Sequence, residues 1–261
     1  MSYQQYRPNS FSVLPPVVKN LLIINGIFFL ASYVFGKNLG LDLDNLLGLH
    51  YPTSSAFRPW QLVTYMFMHG GPAHIFFNMF ALWMFGNTLE NLWGGKRFLI
   101  YYMICGIGAG LIQIAVTYFR LMHFHDLVNS ETLNMIMTQG NGILQNGQNY
   151  TDPVVGEMNS LINSATIGAS GAVFGILLAF GMLFPNTMLY IYFAIPIKAK
   201  WFVLLYGGLE LFSGIANNPE DNVAHFAHLG GMLFGFILLK YWQKKNNHFF
   251  IDHGKSNCRR F

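Results

Sequence analysis

Six apolar stretches of nearly membrane-spanning length constrain the fold of this chain more than any other feature. They cover about residues 17–36, 72–88, 97–118, 168–184, 199–215 and 223–242. A helix needs about 20 apolar residues to cross a hydrocarbon core of about 30 Å. Polar, Gly- or Pro-containing segments separate most of the stretches, and Pro185-Asn186 with an apolar connection (187–198) separates the fourth from the fifth. The sequence therefore predicts an all-α membrane protein built as a bundle of six transmembrane helices.

Composition supports a membrane protein and excludes several other classes. Only 10% of the residues are charged and 53% are hydrophobic, whereas a soluble domain carries about 25% charged residues. The net charge of +4 is modest, and the distribution of basic residues indicates topology and not nucleic-acid binding. Cys105 lies in an apolar stretch and Cys258 in the polar tail, so we expect no disulfide. The polar start of the chain has no apolar core typical of a cleaved signal peptide.

A Gly-Gly-Pro sequence marks the start of the second helix, and the six apolar stretches as a whole divide the chain into three parts. The sequence His69-Gly70-Gly71-Pro72 interrupts an apolar run, so we expect the second helix to begin at Pro72. This leaves 38–71 as a partly apolar loop. We predict an N-terminal cytoplasmic segment 1–16, a six-span domain 17–242 with a long external loop 119–167, and a cytoplasmic tail 243–261. The loop is rich in Asn, Gln and Gly, which indicates a polar excursion rather than a second domain.

Basic residues predict the orientation, because Lys and Arg concentrate in cytoplasmic loops. With the N-terminus inside, twelve of the 15 Lys and Arg residues fall on the inner side. The outer side keeps only Lys37, Arg58 and Arg120. The sequence therefore predicts that both termini are cytoplasmic.

Polar side chains within apolar stretches are costly and mark candidates for function. They are His74 and Asn78 in the second stretch, Glu90 at its inner end, Ser170 in the fourth, Glu210 in the fifth, and His225 and His228 in the sixth. The second, fourth and sixth stretches run from outside to inside, so equal distances from their starts mean equal depths. At about 1.5 Å per residue, a hydroxyl, an imidazole and an amide lie within roughly 10 Å of the outer side.

This coincidence of depth favours nucleophilic catalysis. A serine hydroxyl becomes a useful nucleophile when a base within about 3 Å accepts its proton. Gly171-xxx-Gly175 follows Ser170, and Gly231-xxx-Gly235 follows His228. Such small-residue faces allow two membrane helices to approach closely. The unpaired backbone amides at the start of the serine helix are suitable donors for an oxyanion.

Each of these residues also has a structural interpretation. Ser170 alone would be a packing residue, and His225 a hydrogen bond between helices. Glu90 would cap or brace the inner loop with Arg97. Glu210 would hydrogen-bond across helices or face a cavity.

Several separated motifs resemble the rhomboid family of intramembrane serine proteases. They are Gly168-Ala169-Ser170-Gly171, Ala227-His228 with its glycine pair, the series His69, His74 and Asn78, Trp60 before the approach to His69, Glu90 with Gly94, and Pro185-Asn186. The resemblance covers about residues 17–242. It implies a six-helix bundle that encloses a water-filled cavity open to the outside.

The resemblance also implies the roles of individual residues. Ser170 would be the nucleophile and His228 the general base, while His74, Asn78 and Gly168 would form the oxyanion hole. Glu220 and Asp221 lie in the loop before the last helix, and we expect no acid as a third member. We expect no cofactor and no metal. The expected partners are the lipid bilayer and single-span membrane proteins, cleaved at or just below the outer surface of a bacterial inner membrane.

Two features depart from the family pattern. Gln61 follows Trp60 where the family often has Arg, and the 119–167 segment is longer than a rhomboid core requires. The alternative functions are a non-catalytic rhomboid-like protein that binds other transmembrane helices, and a small transporter. A transporter would be expected to show internal repeats, which the sequence does not suggest.

Overall fold

A computed structural model of the chain describes residues 11–124, 127–191, 195–216 and 224–245. Most described residues are helical. The elements are α1 (Pro16–Leu39), α2 (Leu43–Leu47), α3 (Gln61–Thr64), α4 (Pro72–Ala81), α5 (Asn87–Trp93), α6 (Gly95–Met122), α7 (Ser130–Gln145), α8 (Pro153–Asn163), α9 (Ser170–Leu183), β1 (Met188–Ile191), β2 (Ile195–Lys198), α10 (Ala199–Ala216) and α11 (His225–Lys245). The predicted N-terminal segment 1–16 and the predicted tail 243–261 lie largely outside the described residues, as do Glu220, Asp221 and Cys258.

Every predicted apolar stretch forms a helix, with ends that differ from the prediction by a few residues. A π-helical turn, Leu82–Gly86, joins α4 to α5, so the second stretch is one continuous helical rod. Among the described residues, two helices are long and apolar enough to cross a membrane by length and composition alone, Pro16–Lys37 and Gly95–Met122. Helix α9 has 14 residues, or about 21 Å of helix, which is short of a full span.

Helices α6, α9 and α11 pack closely, and glycines form the contact. A Cβ atom at Gly231 of α11 would collide with the backbone carbonyl of Gly171 on α9. A Cβ at Gly175 would lie 2.5 Å from the Cys105 sulfur on α6. Tyr101 of α6 also donates its hydroxyl to the Gly175 carbonyl at 2.9 Å. The glycine pairs of the sequence therefore bring these three helices into backbone contact.

Glu90 acts as a cap, one of its two predicted roles, and the capped element is the start of α1. Its carboxylate accepts hydrogen bonds from the backbone amides of Val17 and Val18, at 2.9 and 2.7 Å. These are unpaired amides in the first turn of α1, where a negative charge also complements the helix dipole. Glu90 does not brace the inner loop with Arg97, whose guanidinium lies over the Trp242 ring. It anchors the start of α1 to the end of the second rod.

Gln61 secures the loop 38–71 from a fully buried position. Its side-chain oxygen accepts from the backbone amides of His50 and Arg58, at 3.3 and 3.1 Å. Its amide group donates to the carbonyls of Leu46 and Ala56, at 3.2 and 3.0 Å. A neutral amide, which both donates and accepts, therefore ties four points of this loop together at the position where the family often has Arg.

The segment 119–167 is more ordered than the predicted long loop. Helix α6 continues into it to Met122, and α7 and α8 pack against each other through a small cluster of Ile136, Met158 and Ile162. Asn129 caps α7, and Asp152 accepts from two amides in the first turn of α8. We call α7 and α8, residues 130–163, the helical insert.

A two-stranded β-sheet departs from the all-α prediction. Strands β1 and β2 pair antiparallel between α9 and α10, with Met188 opposite Lys198 and Leu189 opposite Ile197. They occupy the apolar connection 187–198. Because both strands are four residues long, the described part of the chain remains mostly helical.

Candidate active site

Ser170 is the first residue of α9 and follows a glycine with an unusual backbone. Gly168 has a φ of +129°, which side chains other than glycine rarely adopt. Ala169 then enters the helical region as the N-cap. The turn places the Ser170 side chain at the open end of α9, next to backbone amides that lack helical partners.

His228 lies one turn into α11 and meets Ser170 directly. The distance between Nε2 of His228 and Oγ of Ser170 is 2.7 Å. The imidazole stacks on the ring of Phe174, with centroids 4.2 Å apart and an interplanar angle of 8°. Because Phe174 is four residues after Ser170, one face of α9 contacts both the edge and the face of the imidazole.

Glu210 on α10 contacts the opposite nitrogen of the same imidazole. Its Oε2 atom lies 2.8 Å from Nδ1 of His228. An ionised carboxylate only accepts hydrogen bonds, so the proton of a neutral His228 resides on Nδ1. Nε2 then carries a lone pair aimed at the Ser170 hydroxyl. The expectation that no acid would join the pair is therefore wrong in its geometry, because an acid from α10 occupies that place.

His225 shares the same carboxylate. Its Nδ1 atom lies 2.7 Å from Oε2 of Glu210, which agrees with the predicted hydrogen bond between helices. His225 and His228 are on successive turns of α11, with their rings nearly perpendicular at 88°. The structure therefore places His228, and not His225, between the carboxylate and the serine.

His74 and Gly168 lie on the other side of Ser170. A Cβ atom at Gly168 would be 2.8 Å from Nε2 of His74 and 3.5 Å from Oγ of Ser170. The missing side chain of Gly168 thus lets the His74 imidazole approach the serine turn. Asn78 is buried one helical turn further along α4, where its amide nitrogen donates to the His74 carbonyl at 3.0 Å. That bond uses one of its two N–H groups.

His69 supports His74 from the loop that precedes α4. The two rings meet edge to face with centroids 5.0 Å apart, and His69 is 2% exposed. Burial, reinforced by the neighbouring imidazole of His74, lowers the pKa of His69 to about 4. His69 is therefore neutral at physiological pH.

The structure thus brings Ser170, His228, His74 and Gly168 together around one point, with Asn78 a turn away. Sequence reasoning placed Glu210 only as a residue that hydrogen-bonds or faces a cavity. The signal that could have assigned it was its charge, because it is the only Asp, Glu, Lys or Arg residue of the stretch 201–216.

Comparison with known proteins gives one family. A family profile described as eukaryotic integral membrane protein (DUF1751) matches residues 22–255. A Bacillus subtilis protein named "Putative rhomboid protease YdcA" is 25% identical over 231 residues, which cover 88% of this chain and 89% of that protein. Rhomboid protease AarA of Providencia stuartii is 24% identical over 84% of this chain and 69% of its own length.

A plant relative is a longer protein than this chain. RHOMBOID-like protein 12, mitochondrial, of Arabidopsis thaliana is 28% identical over 220 residues, 82% of this chain but only 55% of that protein. The relatives therefore include bacterial proteins and proteins named as mitochondrial, so they do not support a bacterial inner membrane over other membranes. Together, the profile and these relatives place the chain among integral membrane proteins, and the chain belongs to the rhomboid family.

Proposed function

We propose that this protein is an intramembrane serine endopeptidase that cleaves single-span membrane proteins. The observation that carries the proposal is the 2.7 Å contact between the Ser170 hydroxyl and Nε2 of His228. A contact of this length between a nucleophile and a base, with the base oriented by a third group, is the arrangement that acyl transfer requires.

The reaction follows from the tautomer of His228. As Oγ of Ser170 attacks a peptide carbonyl, Nε2 accepts the hydroxyl proton and the imidazole becomes a cation. The same proton then passes to the leaving amine, and an acyl-enzyme remains on Ser170. A water molecule repeats the two steps and releases the acid. The hydrolysis needs no metal and no cofactor.

Glu210 is a positioning residue in this scheme. Its carboxylate holds the proton of His228 on Nδ1 and balances the positive charge that the imidazole gains in the transition state. Phe174 fixes the plane of the ring from the side. The imidazole of His228 is therefore held by Glu210, Phe174 and Ser170 before any substrate binds.

The oxyanion would be stabilised on the side of Ser170 that faces α4. The candidate donors are the Ser170 amide, the His74 imidazole and the second N–H of Asn78, with Gly168 leaving the space that they share. Removal of one such donor lowers the rate by about a hundredfold or more.

The proposed topology has six spans with both termini on the cytoplasmic side. Support comes from the six apolar helices and from the distribution of Lys and Arg. The serine lies at the outer end of α9 in this orientation, so substrates would be cut near the outer surface. The scissile segment must be locally unwound, because a helix engages its own carbonyls in hydrogen bonds.

The test is cleavage of a model single-span substrate by purified protein in liposomes, with a fluorophosphonate probe for the nucleophile. We expect Ser170→Ala and His228→Ala to abolish both cleavage and labelling, while Ser130→Ala, an exposed serine in α7, behaves as the parent. Equal cleavage by all four proteins would refute the assignment and favour a non-catalytic protein that binds transmembrane helices.

A second comparison tests the choice of base. His225→Ala should retain more activity than His228→Ala, because the imidazole of His228 contacts the Ser170 hydroxyl, whereas that of His225 contacts Glu210. The reverse order would exclude His228 as the base.

A further inference from the structure

The carboxylate of Glu210 and the two imidazoles of α11 form a compact group of potential metal ligands. The nearest donor atoms of Glu210, His225 and His228 all lie within 4.8 Å of one another. The three side chains are between 9% and 13% exposed. Among the residues that the structure describes, this is the one group of three His, Cys, Asp or Glu side chains with donor atoms this close together.

The donor set suits zinc and related divalent transition metals. Two imidazoles and one carboxylate leave a fourth position for water in a tetrahedral site, with bonds of about 2.0–2.2 Å. Those bonds separate neighbouring donors by about 3.4 Å. The carboxylate oxygen now lies 2.7 and 2.8 Å from the two Nδ1 atoms. Each of these two oxygen–nitrogen distances would therefore lengthen by about 0.6–0.7 Å when a metal ion binds between the donors.

We propose that Glu210, His225 and His228 form an inhibitory binding site for Zn²⁺ or a similar transition-metal ion. Binding itself does not depend on the proposed function, whereas inhibition rests on it.

Inhibition follows from a change of tautomer. The metal takes the lone pair of Nδ1, so a neutral His228 must carry its proton on Nε2 instead. No proton needs to leave the ring, since it moves from one nitrogen to the other. Nε2 then donates toward Ser170 and has no lone pair to accept the hydroxyl proton. The metal also removes Glu210 from its positioning role, so the nucleophile is no longer activated.

Binding is tested with Co²⁺ as the probe on the purified, chelator-treated protein. We expect visible absorption bands of tetrahedral Co²⁺ that disappear when Zn²⁺ is added. His225→Ala and Glu210→Gln should each weaken binding by at least about a hundredfold. His123→Ala, which removes an exposed histidine after the end of α6, should bind as the parent does. Mg²⁺ should not compete, because it prefers an octahedral shell of oxygen ligands.

A measurement on the parent protein avoids any dependence on the folding of the variants. X-ray absorption of the Zn²⁺-loaded parent should show two imidazole nitrogens and one carboxylate oxygen in the first shell. A shell of oxygen atoms alone, or Co²⁺ binding of equal strength in the parent, His225→Ala and Glu210→Gln, would overturn the site.

Inhibition is tested with the fluorophosphonate probe. Zn²⁺ should block labelling of Ser170 in the parent, a chelator should restore it, and the residual labelling of His225→Ala should resist the same Zn²⁺ concentration. If the metal-free parent is not labelled, the proposed protease function fails while the Co²⁺ spectra still decide the metal site. If labelling of His225→Ala is blocked as in the parent, the inhibitory mechanism fails.

Discussion

The apolar bundle and the helical insert differ in the contacts that fix how their helices meet. In the bundle, α6, α9 and α11 approach so closely that glycine backbones touch, as at Gly231 and Gly171. In the insert, asparagine side chains add hydrogen bonds to the apolar cluster of Ile136, Met158 and Ile162. Asn163 donates to the Ile136 carbonyl and to Asn159, both at 2.9 Å.

The difference teaches which interaction can specify a structure in each solvent. Lipid chains are as apolar as the side chains of a membrane helix, so burial alone does not select a partner and close packing must do so. Outside the hydrocarbon region, a buried amide needs its hydrogen bonds, because an unsatisfied polar group costs about 1–3 kcal/mol. Backbone contact at glycines therefore specifies the bundle, whereas the insert adds a network of buried amide hydrogen bonds, which Gly140 leaves room for.

The largest effect should come from filling the glycine contact. Gly231→Ala adds a methyl group that collides with the backbone carbonyl of Gly171, and a backbone group cannot rotate away. We expect a loss of about 3 kcal/mol or more of stability, the upper end for overpacking. We also expect fluorophosphonate labelling to fall at least about tenfold, because α11 carries His228 away from Ser170. Thermal unfolding in detergent and labelling rates measure both.

Gly208→Ala is the matched control for that prediction. A Cβ at Gly208 meets nothing within 4 Å, and alanine favours a helix over glycine by up to about 1 kcal/mol. The variant should be as stable as the parent or more stable. Equal effects of the two substitutions would show that the glycine contact does not hold the bundle.

An intermediate effect is expected from the insert. Asn163→Ala removes the hydrogen bonds to Ile136 and Asn159, and also the 2.6 Å bond that Asn163 accepts from Ser54. We expect a loss of about 2 kcal/mol that is confined to the insert. Hydrogen exchange should rise in α7 and α8 and not in α9.

Asn146→Ala provides the comparison within the same insert, since Asn146 is exposed and bonds only within its own helix end among the described contacts. It should change stability by less than about 0.5 kcal/mol. If Asn163→Ala instead reduces the labelling of Ser170 as strongly as Gly231→Ala, the two regions are not independent.

The same contrast explains what the sequence could predict. The bounds of the apolar stretches predicted α1, α6 and α10 to within a few residues. The equal depths of Ser170, His228 and His74 predicted that these side chains lie near one another. Depth carries no information on helix rotation, however, so the contact of Glu210 with His228 could not be derived. Nor does apolar length settle how many of the six helices cross the membrane, since α9 has only 14 residues.

The helical insert was missed for a different reason. A polar, Asn-rich segment resembles a loop when only hydrophobicity is considered. The capping signals were present, since Asn129 precedes α7 and Asp152 precedes α8, and Pro153 occupies the first turn of α8. Short helices of this kind are stabilised by tertiary hydrogen bonds to the loop 38–71, as between Asn141 and Asn45, and such contacts have no local pattern.

The smallest effect should be a pH dependence that arises where the loop 38–71 meets α4. The pKa of His69 is lowered to about 4 by burial and by His74, whereas in the unfolded chain it is about 6.5. The unfolded state therefore binds more protons below about pH 6.5, and stability falls as the pH decreases. Between about pH 7.5 and about pH 5.5 the loss should be about 1 kcal/mol.

The measurement is the unfolding midpoint across that pH range, for the parent and for His69→Gln. Glutamine does not titrate, so the variant should start from a lower stability but lose about 1 kcal/mol less on acidification. A double substitution with Asn163→Ala should show the same difference, because the ring neighbour of His69 is His74 on α4. Parallel pH curves for parent and His69→Gln would mean that His69 is not held neutral by burial. Such a result would mean that water reaches His69 where the loop 38–71 meets α4.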